Sequence, residues 1–136
     1  MSSIKSSLVR GSWLSMLASV ALLFSAASYA AGGADVSARF AGPKANTGTV
    51  TLSHEGAKRV LTLSSDFVTP DTPDPHWQIV DSEGNVYTLE RLKIKENNEH
   101  RSVTLPAYVH DVAKVVIWCA FAEANLGEAK FAKPAK

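Results

Sequence analysis

One cysteine, Cys119, stands in a chain of 136 residues. A single thiol excludes an internal disulfide, and it excludes an iron–sulfur cluster held in the usual way by four cysteines. No Cys-x-x-Cys-His run is present for covalent haem attachment. Methionine is almost as scarce: Met1 and Met16 both fall within the first thirty residues. Blue copper takes two histidines, a cysteine and usually an axial methionine. Here no methionine lies beyond residue 30 and no histidine follows Cys119, so a cupredoxin-type site is not expected. The four histidines are scattered, with neither an i, i+4 pair nor a zinc spacing, so no metal site is assigned. The proline-flanked acids Asp66, Asp71, Asp74 and Asp81 lack the sharp glycine turn of a calcium loop and read as solvated. Charge of one sign is also missing. The formal net charge is +1, which leaves nothing to steer nucleic acid. Nucleophile-elbow, phosphate-loop and dinucleotide fingerprints are all absent, and no catalytic residue is assigned.

Acidic residues are absent before Asp35, and this asymmetry is informative. Lys5 and Arg10 give a positive start. Residues 13–24 are apolar apart from Ser15 and Ser19, and Ser25-Ala26-Ala27-Ser28-Tyr29-Ala30 follows. A positive start, a short apolar run and small residues at −3 and −1 form the pattern of a secretory signal peptide. The expected cut falls after Ala30, with Ser28 at −3. The apolar run is shorter than the ~20 residues a spanning helix needs, so no membrane span is expected in the mature chain. No cysteine lies near the cut to carry a lipid. The expected location is periplasmic or secreted. Removing residues 1–30 leaves 106, with twelve basic and thirteen acidic groups. That length buries a core without disulfide or metal staples, which chains below ~40 residues usually need.

The mature chain is expected to be all-β, a small antiparallel sandwich or barrel, divided into a lead-in over 31–45 and one domain over 46–133. The composition, 46% hydrophobic and 20% charged, is that of a globular protein and not of a disordered one. Thr49-Val50-Thr51-Leu52-Ser53 and Val60-Leu61-Thr62-Leu63-Ser64 alternate about a turn-forming 54–58 and read as a hairpin. Pro70, Pro73 and Pro75 exclude an inner strand over 69–76. Trp77-Gln78-Ile79-Val80 and Val86-Tyr87-Thr88-Leu89 flank the turn Ser82-Glu83-Gly84-Asn85. Leu92 and Ile94 extend the alternation as far as a polar turn over 96–99. A short strand over 100–105 ends at Pro106, and a helical turn is expected over 107–113. Lys114-Val115-Val116-Ile117-Trp118-Cys119-Ala120-Phe121 is apolar on both faces, as for an inner strand covered on both sides. Residues 125–131 are expected to close the sheet.

Cys119 is the candidate site residue, and two readings stay open. A lone thiol in an oxidising compartment is a candidate reactive group. Free cysteine is also among the most buried residue types, and an apolar setting raises its pKa. Alternation places Cys119 on one face with Val115 and Ile117, and Trp118 on the other. Without a lysine or arginine beside it on the strand, the expected activating neighbours are His76 and His110.

Several of these stretches together resemble the DM-thirteen, or electron-transfer DM, domain. Val115-Val116-Ile117-Trp118-Cys119 followed by Phe121 and Leu126-Gly127-Glu128-Ala129 resembles its end, and residues 48–63 resemble its opening hairpin. Ser65-Asp66-Phe67-Val68-Thr69-Pro70 with Pro73-Asp74-Pro75-His76-Trp77 resembles its loop, with Thr72-Pro73 where that family has Gly-Pro. Leu105-Pro106 then Val112 resembles the following segment. The likeness covers about residues 46–131. It implies an extracytoplasmic β domain with a redox or electron-transfer role that falls on Cys119 as a thiol or cofactor ligand. The partner would be a redox or envelope protein, and no cofactor is named. The alternative expectation is a non-catalytic binding or structural module of the cell envelope with Cys119 in its core.

Overall fold

The alternating runs assemble into two facing sheets. The computed structural model describes residues 34–92 and 101–136. The expected signal peptide and its cut, the strand extension over 93–95, the polar turn over 96–99 and His100 lie outside the described residues. Among the described residues eight strands follow one another: β1 Asp35–Val36, β2 Val50–Glu55, β3 Lys58–Leu63, β4 Pro75–Val80, β5 Val86–Arg91, β6 Ser102–Thr104, β7 Val112–Cys119 and β8 Ala124–Ala135. One sheet has the order β1-β2-β3-β6 and the other β5-β4-β7-β8, and every pairing is antiparallel. Among the described residues there is no helix, so none is long and apolar enough to cross a membrane. The fold is therefore all-β and sandwich-like, as the alternation predicts.

The core forms where the inward positions of both sheets meet. Leu52 and Leu61 face each other across the β2–β3 pair, and Trp77, Ile79, Val115 and Ile117 face them from the second sheet. Each such side chain contributes about 1.5–3 kcal/mol through burial. The first hairpin keeps its register from Val50↔Leu63 to Glu55↔Lys58. It closes through Gly56, whose φ of 62° costs a residue without a Cβ almost nothing.

Three expectations are corrected by the observed backbone. Pro75 opens β4, an inner strand, although the proline stretch was expected to exclude one. The first residue of a strand can lack its N–H, and the Pro75 carbonyl still accepts the N–H of Leu92 at 2.7 Å. The stretch expected as a helical turn holds a single tight turn, Val109 N–H to Pro106 carbonyl, and β7 starts at Val112. β7 is indeed an inner strand, but no third layer covers its outer face among the described residues. There Val116 is sheltered between Gln78 and Glu128 on the neighbouring strands, with Glu128 tied to Lys114 at 2.8 Å.

β8 is longer than the alternation indicated, and its free edge is capped. Residues 38–45 run beside it. The N–H of Ala38 donates to the Lys130 carbonyl, Ala41 and Glu128 exchange bonds, and the N–H groups of Lys44 and Ala45 donate to the Leu126 carbonyl. Phe40 and Ala45, within the stretch read as a lead-in, are buried in the common core. The Phe40 ring packs against that of Phe67, with centroids 5.1 Å apart and planes tilted by 57°. Gly127 permits this approach, because a Cβ there would lie 1.9 Å from the Ala45 carbonyl oxygen.

Candidate functional site

The last residue of β7 sits where three chain segments converge. Cys119 pairs with Pro75 on β4 and with Ala124 on β8, and residues 120–123 form the turn between β7 and β8. Glu123 adopts a φ of 51° to close that turn. Alternation places the Cys119 side chain with Val115 and Ile117 in the core, and the residue is 1% exposed. Its Sγ is nevertheless not surrounded only by carbon. The N–H of Ala122 donates to it at 3.5 Å, and the N–H groups of Asp74 and Phe121 also face it.

These amides decide the electrostatics of the thiol. The Ala122 N–H foremost, with those of Asp74 and Phe121, holds Cys119 below the ordinary thiol range. Burial and the Asp74 carboxylate push the other way and are outweighed. The expectation that apolar surroundings raise this pKa is thereby corrected. The turn directs backbone donors at the sulfur, and donors favour the charged form.

Asp74 links the thiol to His76. Its main chain faces Cys119 and its carbonyl accepts the Ala120 N–H at 2.9 Å. Its carboxylate turns outward, to His76 Nε2 at 3.1 Å and Arg91 Nε at 3.2 Å. Arg91 also donates to the Pro73 carbonyl at 2.6 Å. His76 Nδ1 donates to the Leu89 carbonyl at 2.9 Å. Asp74, His76 and Arg91 thus lash the proline loop to β4 and β5.

The sequence-predicted site residues are only partly brought together. Trp118 lies opposite His76 in the β4–β7 register, half-buried on the outer face, while Cys119 points inward. His76 reaches the neighbourhood of Cys119 through Asp74 and not directly. His110 precedes the other end of β7, roughly 25 Å away at ~3.3 Å per strand residue, and its carbonyl accepts from Arg59. Arg91 was not singled out by sequence reasoning, and Asp74 was read only as a solvated loop acid, whereas its carboxylate is engaged by His76 and Arg91. The available signal was the Asp74-Pro75-His76 run, in which the fixed proline sets an acid and an imidazole on the way into a strand.

Asp81 also departs from its reading as a solvated loop acid, being 7% exposed. It accepts the N–H groups of Glu83 and Asn85, the Asn85 side-chain amide and the Tyr87 hydroxyl. These bonds, the Asn85 amide first, hold its carboxyl below the usual range and organise the β4–β5 turn. Among the described residues no three His, Cys, Asp or Glu side chains are grouped to hold a metal ion. No family model, no curated protein and no solved structure matches the chain.

Proposed function

We propose that the chain is an exported, non-catalytic binding or structural module of the cell envelope, in which Cys119 is part of the framework. One observation carries this reading: Cys119 is buried to 1% exposure, with its sulfur engaged as acceptor at the closure of the β7–β8 turn. A sulfur so enclosed offers no path to a partner disulfide or an oxidant. Export rests on the leader pattern of residues 1–30 and places the module in the periplasm or outside the cell. The test is the reaction of the native thiol with a chromogenic disulfide reagent. Native protein should resist the reagent and denatured protein should react at once. Native labelling as fast as denatured labelling refutes the framework role.

The second reading is the redox or electron-transfer role implied by the likeness to the DM-thirteen domain. The lowered pKa of Cys119 favours it, because the thiolate is the reactive form. The groups that donate to Sγ are backbone amides, and among the described residues no metal-binding cluster includes it, so the chemistry under this reading is that of the thiol. Fast native labelling at neutral pH, together with loss of redox activity in Cys119→Ser, supports this reading over the first.

A further inference from the structure

The run Pro73-Asp74-Pro75-His76 contains the single Asp-Pro bond of the chain. An aspartate carboxyl lies where attack on its own carbonyl carbon closes a five-membered anhydride ring, and a group held this close acts at a very high effective concentration. When the next residue is proline the bond is a tertiary amide. Its nitrogen then leaves as a secondary amine, which takes a proton readily.

The fold places three further groups around this bond. Asp74 Oδ1 is held by His76 Nε2 at 3.1 Å and by Arg91 Nε at 3.2 Å, and among the described residues no hydrogen bond engages Oδ2. The carbonyl oxygen of Asp74 accepts the Ala120 N–H at 2.9 Å. A backbone donor is thus aimed at the atom on which negative charge grows when the carbonyl is attacked. Beyond the bond, Pro75 is buried, pairs with Cys119 and accepts the Leu92 N–H at 2.7 Å, so the departing side is anchored. The Asp74 and His76 side chains are 34% and 22% exposed, which leaves them within reach of water. Arg91 from β5 and the Cys119 thiol from β7 are the titratable groups that face this pair from the neighbouring strands among the described residues.

We propose that the chain cleaves its own Asp74–Pro75 bond, with the Asp74 carboxylate as nucleophile, the Ala120 N–H as oxyanion donor and His76 as general acid. Oδ2 forms a bond to the Asp74 carbonyl carbon, and the displaced electron pair rests on the carbonyl oxygen beside the Ala120 N–H. That pair returns, the bond to Pro75 breaks, and the nitrogen takes the bond pair together with a proton from the His76 imidazolium. Water then opens the anhydride to two carboxylates and releases two protons, one to the ring and one to the new amine of Pro75. The net change is hydrolysis of one peptide bond. β1, β2 and β3 lie before the cut and β4 to β8 after it, so no described strand is severed. β3 remains paired with β6, and residues 38–45 remain bonded to β8. The product is a sandwich of two chains whose new amino terminus opens β4. This is one turnover of the chain on itself, beyond the binding-module reading and independent of it.

The experiment holds the protein expressed from its full sequence at about pH 5 and at about pH 8 and follows intact mass with time. The reference is the synthetic peptide Thr-Pro-Asp-Pro-His-Trp, which has the same bond without the fold. The protein should yield one fragment ending at Asp74 and one beginning at Pro75, about a hundredfold faster than the peptide is cut. The rate should be higher at the lower pH, where imidazole carries its proton. Denaturing electrophoresis should show both fragments while native size exclusion shows a single species. Asp74→Ala should abolish the cut, and His76→Gln should slow it about tenfold or more. If either variant does not fold, the wild type in concentrated urea supplies the comparison, and unfolding should bring the rate down to that of the peptide. A folded protein cut no faster than the peptide overturns the proposal. So does a cut at another bond, or an undiminished rate in folded Asp74→Ala.

Discussion

Replacing Gly127 by alanine tests the packing of residues 38–45 against β8. The new Cβ would lie 1.9 Å from the Ala45 carbonyl oxygen and 2.8 Å from the Ala45 Cβ. A carbon–oxygen contact belongs near ~3.3–3.6 Å, so the segment must retreat by about 1.5 Å. That movement breaks the two bonds from Lys44 and Ala45 to the Leu126 carbonyl, each contributing about 0.5–1.5 kcal/mol. It also strains a site where Ala45 is fully buried, and overpacking of this kind costs about 1–3 kcal/mol. The smaller entropy of an unfolded chain with alanine returns about 0.4–1 kcal/mol. The expected net loss is about 2–4 kcal/mol, seen as a fall in Tm of roughly 10–25 °C for a domain of this size. Gly84→Ala is the control. Gly84 has a φ of 87° and open space around it, so alanine there meets only the left-handed backbone cost of about 1–2 kcal/mol. Scanning calorimetry of both variants decides the matter. A Gly127→Ala loss no larger than that of Gly84→Ala would refute the close docking of the segment.

Ile117→Ala should cost about 2–5 kcal/mol in urea unfolding, because Ile117 is fully buried between the sheets; a loss near zero would contradict its place on an inner strand. Acid should destabilise the protein through Asp81, whose folded pKa lies below the usual ~3.9 of an unfolded aspartate. Its contribution is complete above that unfolded value and is lost as pH falls through the lower folded one, so Asp81→Asn should be less stable at neutral pH and lose less on acidification. Intact mass of the exported protein should begin at Ala31; a mass that retains residues 1–30 would mean that the apolar run is kept.

The hairpin of β2 and β3 was legible almost residue by residue. Its alternation is strict, its turn carries a glycine, and one buried face fixes the register. β7 was legible for a related reason: a run of Val, Val, Ile, Trp and Cys fits only an inner strand. β8 was read short because Ala124–Ala135 contains Gly, Lys and Pro, and its strand state comes from pairing with β7 and from the segment that caps it. Residues 38–45 gave no periodic signal at all. They are held by backbone bonds to β8, and the pairing of Gly42 with Gly127 that makes room for them is a fact of tertiary contact.

The surroundings of Cys119 show where local reasoning stops. Period-two alternation correctly assigned the thiol to the core face with Val115 and Ile117. It could not supply the amides, since Asp74 comes from a loop forty-five residues upstream and Phe121 and Ala122 from a turn whose shape depends on Glu123. From apolar neighbours alone, desolvation raises the pKa; with three donors in place, the balance reverses. The same residue is therefore inaccessible and electrostatically primed, and these two properties point to different functions. The framework reading gives precedence to burial, because a thiol 1% exposed offers little surface for thiol–disulfide exchange with a partner. What the amides then provide is structural: the sulfur satisfies donors at the end of a hairpin that would otherwise be left unpaired on burial, each at a cost of about 1–3 kcal/mol. On that account, exchange of the Ala122 amide should quicken in Cys119→Ala, where no acceptor remains. Unaltered exchange there would mean that the sulfur does not serve the turn, and the framework reading would lose its main support.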